Sequence, residues 1–183
     1  MKSSSHLPKN PNLGVLYNEQ ELRDIWFAGG CFWGVQAYFD RVYGVASTSA
    51  GYANGKTDTP TYEEIWHSGH AETVHIRYDP NKVSLKQLIE RLFTVIDPTS
   101  INRQGGDIGE QYRTGIYYRN REDKGTILSA VYAEQAKHTA PIATQIMPLE
   151  HYYLAEEYHQ SYLEKNPNGY CHINLSELNK QTS

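Results

Sequence analysis

Apolar positions along this chain repeat with two different periods, and their order predicts a fold before any residue chemistry is considered. Ile25, Trp26, Phe27 and Ala28 form a short apolar run ended by Gly29 and Gly30. From Phe32 to Asp40 the residues Phe32, Val35, Tyr38 and Phe39 recur at helical spacing. This predicts a strand, a glycine turn and a helix. Val45 to Tyr52, small and β-branched, predicts a second strand, and Asn54-Gly55 opens a polar loop. Glu72 to Tyr78 alternates, with Glu72, Val74, Ile76 and Tyr78 on one face and Thr73, His75 and Arg77 on the other, as a third strand requires. After the turn Asp79-Pro80-Asn81, Ser84 and Gln87 stand at capping-box spacing. They lead the stripe Leu85, Leu88, Ile89, Leu92 and Phe93, a helix that must end before Pro98. A glycine-rich loop through Gly105, Gly106 and Gly109 then leads to Arg113–Tyr118, a β-branched and aromatic strand.

The order β-α-β-β-α-β predicts an α+β fold, a two-layer sandwich built on a ferredoxin-like core. Beyond that core the expectation is extra C-terminal helices and a tail. Glu122–Lys137 reads as a helix, Ile142–Met147 as an edge strand between prolines, and Leu154–Lys165 as a last helix. From Asn166 onward the residues predict a mobile tail carrying Cys171. The expected organisation is a polar arm over 1–20, one catalytic domain over 21–165 and the tail over 166–183. A chain of 183 residues suffices for one such core.

Composition narrows the function classes. Fifteen Tyr and three Trp point to an aromatic-rich core. The formal charge is −4 and the Lys and Arg residues are scattered, which argues against nucleic acid as a partner. Met1 to Pro11 lacks the apolar stretch of a secretory signal and no later run is long enough to span a bilayer, so the expectation is a cytoplasmic protein with no membrane partner. His67 and His70 lie close together, and His151 and His159 lie just before and within the predicted last helix. The chain has no Cys-x-x-Cys or His-Glu-x-x-His spacing, so no metal and no other cofactor is expected. Glu63-Glu64 and Glu156-Glu157 read as solvated faces, and Tyr152-Tyr153 as packing.

Two residues carry candidate chemistry on position alone. Cys31, directly after Gly29-Gly30, opens a helix. It sits among unpaired backbone N–H groups at the positive end of the dipole, which favours thiolate over thiol; a small buried hydrophobe is the competing reading. Glu72 shares a strand face with Val74 and Ile76, so its carboxyl is expected to be desolvated and able to act as a neutral acid. The competing reading is a frayed strand end with the carboxyl in solvent. The only other cysteine is Cys171, and without a secretion signal any pairing of the two is expected to be transient.

The residues around these two form a pattern. Gly30-Cys31-Phe32-Trp33-Gly34 resembles the signature of the type A peptide methionine sulfoxide reductases. Gly69-His70-Ala71-Glu72, Asp107-Ile108-Gly109 with Gln111-Tyr112-Arg113, and Asn168-Gly169-Tyr170-Cys171 resemble further segments of that family in the same order. The resemblance runs from about Trp26 to His172, and it is the ordered set rather than any single motif that makes it specific.

The resemblance implies that Cys31 attacks the sulfoxide sulfur while Glu72 protonates the oxygen. It implies that Tyr62 and Tyr112 hydrogen-bond that oxygen, that Asp107 helps hold the substrate, and that Phe32 and Trp33 form the pocket for the S-methyl group. It further implies that Cys171 resolves a Cys31 sulfenic acid to a disulfide, and that a thioredoxin-type dithiol reduces that bond. The expected substrate is the S epimer of methionine sulfoxide, free or in peptides. Two other classes also account for the cysteines: a thiol peroxidase, and a non-catalytic module that binds oxidised methionine.

Overall fold

The computed structural model describes residues 7–181. The first six residues of the predicted polar arm and the last two of the predicted tail lie outside them. The elements in chain order are β1 (Arg23–Gly29), α1 (Phe32–Asp40), β2 (Val45–Ala53), α2 (Ile65–Ser68), β3 (Ala71–Tyr78), α3 (Leu85–Val95), β4 (Arg103–Gln104), β5 (Asp107–Ile108), β6 (Thr114–Tyr118), α4 (Asp123–Gln135), β7 (Gln145–Pro148), β8 (Tyr152–Leu154) and α5 (Tyr162–Lys165). Among the described residues no helix is long and apolar enough to cross a membrane.

The fold is α+β, with one mixed six-stranded sheet in the order β7-β6-β1-β3-β2-β8 and a separate two-stranded ribbon, β4-β5. Only β6 and β7 run parallel; the other neighbours in the large sheet are antiparallel. The alternation along the strands divides the side chains between two faces, as strand geometry demands. One face of β1 and β3 sends Ile25, Phe27, Val74, Ile76 and Tyr78 into the main core against α1 and α3. The opposite face buries a smaller cluster of Trp26, Ala28, Ala53, Ala71 and Tyr117, covered by Met147, Leu149 and Tyr152.

Helix α3 forms where its stripe predicts. Ser84 accepts from the Gln87 N–H at 3.1 Å while the Gln87 side chain accepts from the Ser84 N–H at 2.9 Å, closing the capping box. Leu85, Leu88, Ile89, Leu92 and Phe93 are its buried face. Burying each of these side chains fully contributes roughly 1.5–3 kcal/mol.

The C-terminal third departs from the prediction in two places. Leu154–Lys165 is not a helix: Leu154 ends β8, and the rest is a single 3-10 turn, an irregular stretch and the four residues of α5. Pairing with the edge of β2 wins over helical spacing here. Gly51, Tyr52 and Ala53 pair with Leu154, Tyr153 and Tyr152, and Gln160 reaches the same edge, accepting from the Ala50 N–H and donating to its carbonyl, both at 2.8 Å.

The tail is not loose either. His172 Nε2 bonds the Gly29 carbonyl at 2.7 Å, Ile173 is buried, and Leu175 and Leu178 pack on the main core. The described part of the N-terminal arm is also tied down, with Asn12 Nδ2 donating to the carbonyls of Asp40 and Val42 at the end of α1.

Candidate active site

Strand register brings the predicted residues to one end of the sheet. Ala28 of β1 pairs with Thr73 of antiparallel β3, so the next step places Gly29 beside Glu72. Gly29 also pairs with Thr114 at the start of β6, which brings Tyr112 to the same end. The chain turns at Gly30, whose φ of +87° favours glycine, and Cys31 becomes the N-cap of α1. Three strands and one helix start therefore converge on Cys31 and Glu72.

Glu72 lies in the core rather than frayed into solvent. It is 2% exposed, and its Oε1 accepts from the Phe32 N–H at 3.1 Å, satisfying one of the unpaired donors of α1. Burial pushes its carboxyl up to about 8; the Phe32 N–H opposes this and Asp107 adds to it. Glu72 Oε2 and Asp107 Oδ2 are both buried without a hydrogen-bond partner. A neutral Glu72 at physiological pH has one carboxyl oxygen free for a ligand.

The expected Cys31 thiolate is corrected by its surroundings. The Trp33 N–H does favour the charged sulfur, but Cys31 is 8% exposed, and burial first, then Glu72 once it ionises above about 8, and Asp107 push the thiol well above its ordinary range. Desolvation outweighs the helix terminus, and the resting sulfur holds its proton.

Tyr62 and Tyr112 are both brought to this centre. Burial first and then Glu72 raise their phenols, Tyr62 to about 12, with Cys31 and Asp107 contributing to both. They are neutral donors at any physiological pH. Asp107 stands at the start of β5, close enough to Tyr170 to add to the rise that burial gives its phenol. Phe32 is buried with its ring 5.7 Å from Tyr52, and Trp33 is half-buried, stacked on Tyr162 at 3.7 Å. Cys171 is half-buried and free, its Sγ 3.2 Å from the Ile173 carbonyl, and burial raises its thiol. All eight candidate residues thus gather around one end of the sheet.

Several supporting residues escape a reading of the sequence. Glu156, expected to be solvated, accepts from the Tyr52 hydroxyl at 2.7 Å and from the Tyr62 N–H at 3.0 Å, so it anchors the loop that carries Tyr62. His159 is buried. Its Nδ1 accepts from Trp33 Nε1 at 3.0 Å, and its ring lies 4.4 Å from Tyr62 and 5.1 Å from Phe32. Because Nδ1 is the acceptor, the proton of the neutral ring sits on Nε2, and burial holds the ring neutral. The one available signal was the density of aromatic and hydrogen-bonding residues in Tyr158–Tyr162.

The model of the peptide methionine sulfoxide reductase family matches residues 23–183. The chain is 54% identical over 161 residues to peptide methionine sulfoxide reductase MsrA of Clostridium acetobutylicum, covering 87% of this chain and 99% of that protein. Its fold is similar to reduced Mxr1 from Saccharomyces cerevisiae, with TM-score 0.80 and 34% identity over 86% of this chain and 93% of that one. It is also similar to methionine sulfoxide reductase A of Corynebacterium diphtheriae, with TM-score 0.76 and 34% identity over 93% of this chain and 88% of that one. A buried neutral carboxyl beside a helix-capping cysteine, with family matches running through both, leads to one conclusion: the chain belongs to the peptide methionine sulfoxide reductase family.

Proposed function

We propose that this enzyme reduces methionine S-sulfoxide, free or in peptides, to methionine by thiol chemistry at Cys31. The observation that carries the reading is Glu72: a carboxyl 2% exposed, pushed up to about 8, with Oε2 unpaired and Oε1 bonded one residue beyond the cysteine. A sulfoxide oxygen leaves poorly until it is protonated, so a soft nucleophile needs a neutral acid at hand.

Cys31 sulfur attacks the sulfoxide sulfur, Glu72 gives its proton to the oxygen, and the neutral Tyr62 and Tyr112 donors stabilise the charge developing there. The proton leaving Cys31 returns Glu72 to its neutral form. The S–S bond of the resulting adduct then breaks as the protonated oxygen passes from the substrate sulfur to Cys31 sulfur. Sulfoxide and thiol thus become methionine and a Cys31 sulfenic acid, the first reduced and the second oxidised by two electrons. Asp107 helps hold the substrate, and Phe32 with Trp33 forms the wall against the methyl group.

Cys171 then condenses with the sulfenic acid, giving the Cys31–Cys171 disulfide and water. A thioredoxin-type dithiol reduces that disulfide. Residues 21–165 act as the catalytic unit and 166–183 as the segment that delivers the second thiol. The strand order β6-β1-β3-β2, with α1 and α3 packed on one core, supports reading that unit as a ferredoxin-like split βαβ core.

Methionine formed per enzyme with dithiothreitol tests the reading. Multiple turnovers on a methyl sulfoxide are expected, whereas a binding module gives none and a peroxidase turns over peroxide instead. After one turnover without reductant, intact mass should show the loss of two hydrogens and a peptide linking both cysteines. In Cys171→Ser about one methionine per enzyme is still expected, with thioredoxin recycling lost. Normal recycling in that variant would remove Cys171 from the cycle.

A further inference from the structure

The two glycines that bracket Cys31 and Phe32-Trp33 both face the tail. A Cβ at Gly30 would meet His172 Nε2 at 2.9 Å, and a Cβ at Gly34 would meet Cys171 Sγ at 2.9 Å, with His172 and Ile173 each at 3.5 Å. Gly30 also meets Gln104 at 2.7 Å and has a positive φ, so its requirement for glycine has other causes. Gly34 is different. It lies inside α1 with helical neighbours, where alanine is the better helix former, so nothing in the helix itself asks for glycine. The close neighbours of the missing side chain are all tail atoms.

Position on the helix gives this slot a consequence. Gly34 follows Cys31 by three residues, so the two lie on one side of the first turn of α1. The Cys171 sulfur resting against Gly34 is thereby held beside the turn that begins at Cys31, close enough to contribute to the rise of the Cys31 thiol. The His172 bond to the Gly29 carbonyl fixes the next tail residue on the other side of Cys31. The tail is seated across the nucleophile's turn by one hydrogen bond and one absent side chain.

We infer that Gly34 is a positioning residue for the second half of the reaction, its bare Cα forming the slot that admits the Cys171 sulfur to the turn carrying Cys31. The inference rests on the reading of Cys171 as the resolving thiol. In the step concerned, Cys171 sulfur attacks the sulfenic sulfur of Cys31, the S–S bond forms and the S–O bond breaks. The oxygen leaves as water, taking the thiol proton with its own. Cys171 sulfur is oxidised as the sulfenic sulfur is reduced, and no further reactant enters. A methyl group at position 34 occupies the place from which that attack is made.

The test separates the two half-reactions in Gly34→Ala. Single-turnover methionine release should stay at about one per enzyme. Formation of the Cys31–Cys171 disulfide, followed by mass after rapid quenching, should slow by about tenfold or more, and thioredoxin-driven turnover should fall with it. Dithiothreitol, a small thiol able to reach the sulfenic acid without Cys171, should restore turnover. A thermal melt should show no loss of stability.

Disulfide formation at the normal rate would overturn the inference, as would an equal fall in both half-reactions, which would tie Gly34 to the nucleophile instead. If Gly34→Ala does not fold, pairing it with Cys171→Gly, which empties the slot, decides: a folded double variant supports a clash at the sulfur and an unfolded one overturns it. Thioredoxin turnover that persists in Cys171→Ser would instead defeat the underlying reading of Cys171.

Discussion

The strands and helices up to β6 and the segment from Tyr152 to Ile173 build the same site in opposite ways. In the first region side chains are placed by period. Alternation along β3 sends Glu72 inward with Val74 and Ile76, and the stripe of α3 closes over them. In the second region hardly any regular structure exists, and each side chain is placed by its own long-range bond: Glu156 to Tyr62, His159 to Trp33, Gln160 to the edge of β2, His172 to Gly29. The periodic region carries the pair Cys31 and Glu72, and the irregular one locks that pair in place and brings Cys171 up to it. On that division, substitutions in the first should remove the sulfoxide chemistry, and substitutions in the second, Cys171 apart, should blur it.

The largest effect should come from Cys31→Ser, which should abolish even one turnover, since no other sulfur caps α1 beside Glu72. Methionine released stoichiometrically by that variant, measured after mixing with excess sulfoxide, would place the nucleophile elsewhere.

Glu72→Gln comes next. The first step should slow by about 100-fold or more, the loss expected for a general acid. In the parent enzyme the first step should also decline as pH rises through about 8, where Glu72 loses its proton. The sign for stability follows from the same raised value. The folded carboxyl holds its proton more tightly than the unfolded one, so stability from this residue is full below about 4.5 and falls as pH rises toward 8. Glutamine does not titrate, so the variant should gain on the parent by something on the order of a few kcal/mol above pH 8 and by little near pH 5. Denaturant melts at the two pH values check this, and parallel losses at both would contradict a buried neutral acid.

How much of this was legible in the sequence follows the same line between the regions. Cys31, Glu72 and their elements are readable because strand alternation and helical spacing are local signals. The capping box of Ser84 is readable for the same reason. The ionisation of Cys31 was not, because a helix terminus is visible in sequence whereas the burial of its sulfur and the acidic side chains arriving from β3 and β5 are not. The stretch Leu154–Lys165 has helical spacing yet follows the open edge of β2, a partner about a hundred residues away. Glu156 looks like a surface acid until the Tyr62 loop folds over it. The tail looks mobile because its anchor, the Gly29 carbonyl, is more than 140 residues distant.

His159 tests the locking role directly. His159→Phe leaves the Trp33 indole N–H without its acceptor, an unpaired donor costing about 1–3 kcal/mol where it is buried. We expect kcat/KM for a methyl sulfoxide to drop about tenfold, and His159→Asn, which can offer an oxygen near the position of Nδ1, to recover most of it. Equal losses in both variants would show that the ring's bulk, not the hydrogen bond, holds Trp33.

The smallest effect should come from the most legible position. Ser84→Ala removes the acceptor from the Gln87 N–H and should cost about 1 kcal/mol of stability. The rate should not change, because α3 meets the site only through the packed core under β1 and β3, and a cap lost to solvent at the far end of a helix does not move a core held by Leu88, Ile89 and Leu92. Denaturant melts alongside steady-state turnover decide the point. A variant that melts earlier yet turns over normally keeps fold and chemistry separable here. One that loses activity would mean that the periodic half of the molecule also tunes the site, and the division drawn between the two regions would fail.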